Sequence, residues 1–132
     1  MNCLNNQNIN ILEKLFSHNF LINLILDYFI EYFHLNIILV NKDCVIKSNV
    51  INSLLKFEDR IKSYISMGNS IKYQKSNFRF GDKMVDGYYN IQPIITNEGI
   101  IGSLIILGNE NSRAYDFCSL IVKLIELELN IS

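Results

Sequence analysis

Polar residues punctuate this chain at regular intervals, and the interval tells helix from strand. From about Asn8 to Phe33 the spacing is helical, with a break near Ser17-His18-Asn19 where a new N-cap fits. In the second part Asn19, Asn23, Asp27 and Glu31 recur every four residues and form one narrow stripe. Everything between them is apolar. A helix that covers a sheet needs an apolar arc of little more than 100°, and this one exceeds it. The last helix, about Arg113 to Leu129 behind a cap at Asn111 or Ser112, repeats the pattern: Asp116, Ser119, Lys123, Glu126 and Asn130 form a thin polar line through apolar residues. Both terminal helices therefore carry more apolar surface than one sheet face hides.

Between them the period drops to two. Asn36 to Val40 reads as a central strand, Asn41-Lys42-Asp43 as a turn, and Cys44 to Lys47 as the returning strand. Ser48 or Asn49 is placed to cap a short helix through Leu55. A second short helix runs from Glu58 to Met67, with Ile61, Tyr64 and Ile65 inward, and stops at Gly68-Asn69. In residues 70–84 Ile71, Tyr73, Phe78 and Phe80 alternate poorly with Lys72, Lys75 and Arg79, which reads as a loop with a weak strand. Gly81-Asp82 is a turn. Val85 to Gly108 is a hairpin about Thr96-Asn97-Glu98-Gly99, with a bulge or an open side expected at Pro93. Its second arm, Ile100 to Leu107, is apolar on both faces and belongs inside a sheet. The fold class is α+β: a central antiparallel sheet with short helices on one face and the first and last helices on the other.

The 132 residues suffice for one core, and 49% hydrophobic against 19% charged residues make the chain globular. One domain is expected over residues 1–132, with 1–16 as an N-terminal extension. A net charge of −1 gives no reason to propose nucleic-acid binding. The longest apolar region, Phe20 to Phe33, is interrupted by Asn23, Asp27 and Glu31, so no membrane span is expected. Cys3, Cys44 and Cys118 lie far apart without ligand spacing, which argues against zinc and suits a reducing cytoplasm. No cofactor motif is present.

From Ile91 onward the residues become more specific. Pro93-Ile94-Ile95, then Glu98-Gly99, then Ile100-Ile101-Gly102-Ser103-Leu104-Ile105-Ile106-Leu107 and a capped helix resemble the C-terminal GAF domain of the stage V sporulation protein T family. Asn36 to Val40, the Asn41-Lys42-Asp43 turn and Cys44-Val45-Ile46 resemble its first hairpin. The order of elements is similar to that of a small GAF domain, a relative of the PAS domain. The likeness covers roughly residues 17–130. It implies a GAF/PAS-like sheet and a regulatory, ligand-sensing and dimerising role linked to sporulation and transcription. In that family a swapped-hairpin DNA-binding domain of the AbrB type comes first. Residues 1–16 are not basic and leave no room for it, so direct DNA reading is not expected.

Candidate residues fall in two groups. Lys56, Arg60, Lys62, Lys72, Lys75, Arg79 and Lys83 make up more than half of the 12 Lys and Arg. In a GAF fold that segment forms one wall and lid of the pocket. Tyr73, Lys75, Phe78 and Arg79, over Tyr89 as the pocket floor, are candidates to hold an anionic small molecule. The competing readings are a solvated surface loop and a core tyrosine. The second group is the surplus apolar arc: Leu24 and Tyr28 on the first helix, and Ile121, Leu124 and Ile125 on the last, are expected to pair with a second copy as a four-helix bundle. The other way to hide that arc is for the two helices to pack on each other under a loop. His18 and His34 sit near helix ends without a nucleophile partner. The cysteines are not arranged for redox work, and no constellation supports an enzyme. Expected partners are a second copy, an anionic small molecule, or a regulatory protein. The alternative to a sensor is a homodimeric adaptor whose pocket is filled by its own side chains.

Overall fold

The computed structural model describes residues 11–41, 44–49, 55–56, 59–80, 83–108 and 114–131. For Tyr73, residues 76–80 and residues 83–86, among others, the description covers the backbone alone. Helix α1 (Ile11–His18) buries Leu12 and Leu15. Asn19 ends it and starts the next one. Its backbone N–H donates to the Leu15 carbonyl at 2.9 Å, and its Oδ1 accepts from the Ile22 N–H at 3.0 Å. An extended Asn with a free side-chain oxygen satisfies a donor that a new helix leaves open. Helix α2 (Phe20–Phe33) closes at His34, whose backbone is left-handed (φ 54°) and whose N–H returns to the Ile30 carbonyl.

Strands β1 (Asn36–Asn41) and β2 (Cys44–Ser48) form the first hairpin, and Asn41 pairs with Cys44 across the turn. Strand β3 (Leu55–Lys56) precedes α3 (Asp59–Met67), which stops at Gly68 with φ +68°. Strands β4 (Ile71–Phe80), β5 (Lys83–Thr96) and β6 (Gly99–Gly108) follow, and α4 (Ala114–Ile131) is last. One sheet in the order β2-β1-β6-β5-β4-β3 results, and every neighbouring pair is antiparallel. The expected α+β class is what forms. β6 is interior, between β1 and β5, as its two apolar faces require.

Two expectations are corrected. Leu55 does not end a helix; it lies in β3, opposite Phe80, and residues 50–54 lie outside the described part. Residues 71–80 are a full strand rather than a loop. Their poor alternation has a cause: Ile71 pairs with Ile91 and Gln74 with Tyr89, so one extra residue sits between them. Such a bulge moves the apolar phase from odd to even positions. At Pro93 the open side is present, because β4 begins opposite Ile91 and has ended there. The bulge in that hairpin falls one step further along, between Ile94 and Ile95.

The sheet divides two cores. Ile37, Leu39, Leu104, Ile106 and Ile94 meet α1, α2 and α4. Ile38, Val40, Ile105, Tyr89 and Ile91 meet Ile61 and Ile65 of α3. Gly102 lets α1 come close to the sheet: a Cβ there would meet the Val40 carbonyl oxygen and lie 2.7 Å from Leu12 Cδ2. Asn49 joins α2 to the sheet. Its Oδ1 accepts from the Ile37 N–H at 2.7 Å, and its Nδ2 donates to the Leu35 carbonyl at 2.6 Å.

Candidate functional site

Helices α2 and α4 lie antiparallel on the sheet and are tied at both ends. At one end Asn19 Nδ2 donates to Glu128 Oε1 at 2.7 Å. At the other Phe33 packs on Phe117 with ring centroids 4.3 Å apart. Between the ties Ile25, Leu26 and Phe29 close on Ile121, Leu124 and Ile125, leaving a void of about 10 Å³, hardly room for one water. The two helices pack side by side as one layer.

The outer surface of that layer is apolar. Phe20, Leu24, Tyr28 and Tyr32 keep 78%, 52%, 59% and 63% of their surface exposed. Leu21, Leu120 and Leu127 are exposed beside them. On α2 these positions span about a third of a turn, between the polar stripe and the buried arc. Tyr28 and Tyr32 stack with centroids 5.3 Å apart, which presents a flat, stiff aromatic pair. Each side chain leaves on the order of 100 Å² uncovered, and together roughly 700 Å². Standard interfaces take about 800 Å² from each partner, and free surfaces seldom carry apolar patches this large.

Of the residues expected on this face, Leu24 and Tyr28 lie on it and Leu124 is half-buried at its seam. Ile121 and Ile125 do not. At 2% and 0% exposure they belong to the chain's own core, and a side chain with no free surface adds nothing to a contact. The outward residues of α4 are Leu120 and Leu127, with Lys123 exposed near them.

Of the expected ligand residues, the two whose side chains are described, Lys75 and Tyr89, are not brought together. Tyr89 is fully buried beneath α3 with Ile61, Ile65 and Ile91, so the pocket floor is filled by its own tyrosine. Lys75 pairs with Tyr88 and is exposed, while Tyr89 pairs with Gln74. Directly opposed residues share a face and neighbours alternate, so Lys75 projects from the other side of the sheet. The backbone register sets Arg79 opposite Met84, in phase with Lys75, and Phe78 opposite Val85, in phase with Tyr89. The side chains of Tyr73, Phe78 and Arg79 lie outside the described part. A cationic lid is not what 71–80 form, because that segment is part of the sheet.

Cys118 is buried on α4 and its Sγ donates to the Leu104 carbonyl at 3.5 Å. Desolvation pushes its pKa far up, against a smaller lowering by the Gln92 backbone hydrogen bond. It is a packed thiol, not a nucleophile. Among the described residues no cluster of His, Cys, Asp and Glu could hold a metal, and no helix is long and apolar enough to cross a membrane.

No family model matches the chain, and no curated protein does. Among solved structures, the chain is similar to one in the crystal structure of the E. coli DhaR(N)-DhaL complex. The TM-score is 0.56 at 15% identity, over 72% of this chain and 38% of that one. The likeness is one of fold, and the chain corresponds to well under half of its match.

Proposed function

We propose that this chain is a cytoplasmic GAF-like regulatory domain that works as a homodimer, joined through the outward face of α2 and α4, and that acts through protein contacts rather than catalysis. The observation that carries the reading is the exposed stripe of Phe20, Leu24, Tyr28 and Tyr32 beside Leu120 and Leu127, whose area matches one half of a standard interface. The partner that such a face fits most directly is its own copy. A two-fold pairing lays one stripe on the other and covers both at once.

The adaptor form of the reading is favoured over a small-molecule sensor on the α3 face. Tyr89 fills that floor, and Lys75 lies on the opposite side of the sheet. The similar fold occurs in a protein crystallised as part of a two-protein complex, which suits a domain that reports to a partner. The setting in transcription or sporulation rests on the resemblance carried by Pro93 to Leu107.

Light scattering on the purified chain over a wide concentration range tests the proposal. The expected mass is that of two chains, falling towards one on dilution. A single-chain mass at the highest concentration overturns it.

A further inference from the structure

Ile11, Lys14, Leu15 and His18 stand three and four residues apart, so they share one face of α1. The chain turns at Asn19, and Phe20 opens α2 with 78% of its surface exposed. Leu129, half-buried near the end of α4, completes the enclosure. The bond from Asn19 to Glu128 at 2.7 Å holds α4 in place there. What forms is a groove of about 690 Å³ lined by these six residues and Asn19. Small-molecule sites take roughly 300–1,000 Å³.

The groove is apolar below and cationic at its rim. Ile11, Phe20 and Leu129 offer apolar surface around the buried Leu15. The Asn19 amide is fully used, because Oδ1 accepts from the Ile22 N–H and Nδ2 donates to Glu128. Nothing along this surface asks a ligand for a hydrogen bond. Lys14 and His18 are exposed, and neither side chain has an ion pair or hydrogen bond among the described residues. Lys47 is the contrast. It lies on β2, where Ile46 is an extra residue that bulges the strand, and Asp27 neutralises it at 2.9 Å. Side chains four apart on a helix start about 5–6 Å from each other, close enough to converge on one carboxylate. Lys14 supplies the charge, and His18 supplies an N–H in either protonation state. One fixed cation matches a monoanion better than a phosphate dianion.

We infer that this groove binds a medium-chain fatty acid as its carboxylate. The head group sits on Lys14 and His18, and the tail lies on Ile11, Leu15, Phe20 and Leu129. Phe20 is shared with the outward face of α2, but Lys14 and His18 are not, so the site does not depend on a second copy.

Calorimetry on the full chain with hexanoate, octanoate and decanoate tests it. Decanol probes the tail alone, and phosphatidylglycerol vesicles probe a lipid surface. Decanoate is expected to bind one per chain, with Kd tightening about two- to fourfold per added methylene. Decanol should bind about tenfold more weakly, and vesicles not at all. Lys14→Met should weaken decanoate by about tenfold and leave decanol unchanged. Lys and Met have similar helix propensities, so light scattering should give this variant the mass of the unaltered chain. Lys62→Met, at an exposed position of α3, should leave both Kd values as they were. Any of four results overturns the assignment: no decanoate binding at millimolar concentration, decanol binding as tightly as decanoate, no greater loss in Lys14→Met than in Lys62→Met, or vesicle binding that decanoate does not displace.

Discussion

Leu24→Lys separates the strength of association from the stability of the fold. Leu24 is 52% exposed on the outer arc of α2. Fully burying a leucine is worth about 1.5–3 kcal/mol, so covering its free half contributes roughly 1 kcal/mol. A two-fold interface uses the position twice, which doubles the figure to about 2 kcal/mol. Lysine adds a cation to be desolvated or turned aside near its own symmetry mate. We expect a loss of about 2–4 kcal/mol, or roughly 30- to 1000-fold in Kd. The fold itself should hardly respond. Leu and Lys have similar helix propensities, and exposed substitutions usually stay within about 0.5 kcal/mol. Sedimentation velocity over a dilution series reads the first quantity, and urea unfolding at low concentration reads the second. Met67→Lys is the control, because Met67 is 66% exposed but lies on α3, across the sheet. Equal dissociation constants for Leu24→Lys and the unaltered chain would refute the argument, as would an equal loss in the Met67 variant.

Other outcomes concern the scaffold. His34→Gly should raise unfolding stability by about 0.5–1 kcal/mol in urea, since the left-handed cap strains every residue but glycine; a loss would mean that the imidazole makes a contact worth more than the strain. Gly102→Ala should cost about 2–3 kcal/mol, because the methyl meets the Val40 backbone and Leu12, and an unchanged denaturation midpoint would contradict that packing. Asn49→Ala removes two hydrogen bonds at the α2–β1 joint and should cost roughly 2 kcal/mol, with faster amide exchange at Ile37. The Cys118 thiol stays protonated when folded, while the unfolded thiol ionises above its ordinary 9.0. The unfolded state then binds fewer protons, so stability should fall above that pH by up to about 1.4 kcal/mol per unit, a slope that Cys118→Ala should lack.

Much of the fold is legible because each element carries its own local chemistry. Asn19 marks the break between α1 and α2 by being a short polar residue ahead of an apolar run, and it caps as such residues do. The doubly apolar Ile100 to Leu107 had to be interior, and β6 is. Strand β4 is hidden for an equally physical reason. Its extra residue between Ile71 and Gln74 breaks the period of two, and periodicity is the signal that strands are recognised by. Once the phase is reset, the segment pairs along β5 to its far end.

A site depends on direction, and direction is what one-dimensional patterns hold least of. The spacing of Asn19, Asn23, Asp27 and Glu31 measures how much apolar surface α2 has. It does not say which part the sheet takes. On α4 the polar line misleads further, because Glu126 is bound to the Ile95 N–H at 3.0 Å and so marks the edge of the sheet rather than open solvent. Ile121 and Ile125 are thereby drawn into the core, and Leu120 and Leu127 are turned out. The cleft between α1, α2 and β2, lined by Glu13, Phe16, Ser17, Asn23, Ile46 and Lys47, is hidden more completely. Read alone, Val45-Ile46-Lys47 alternates, with Lys47 on the face of Val45. Only the pairing of Leu39 with Lys47 places it on the other face, and that fact belongs to β1. Surplus apolar surface can therefore be counted along a single helix, whereas a polar cleft built on a bulge exists only once two strands have met.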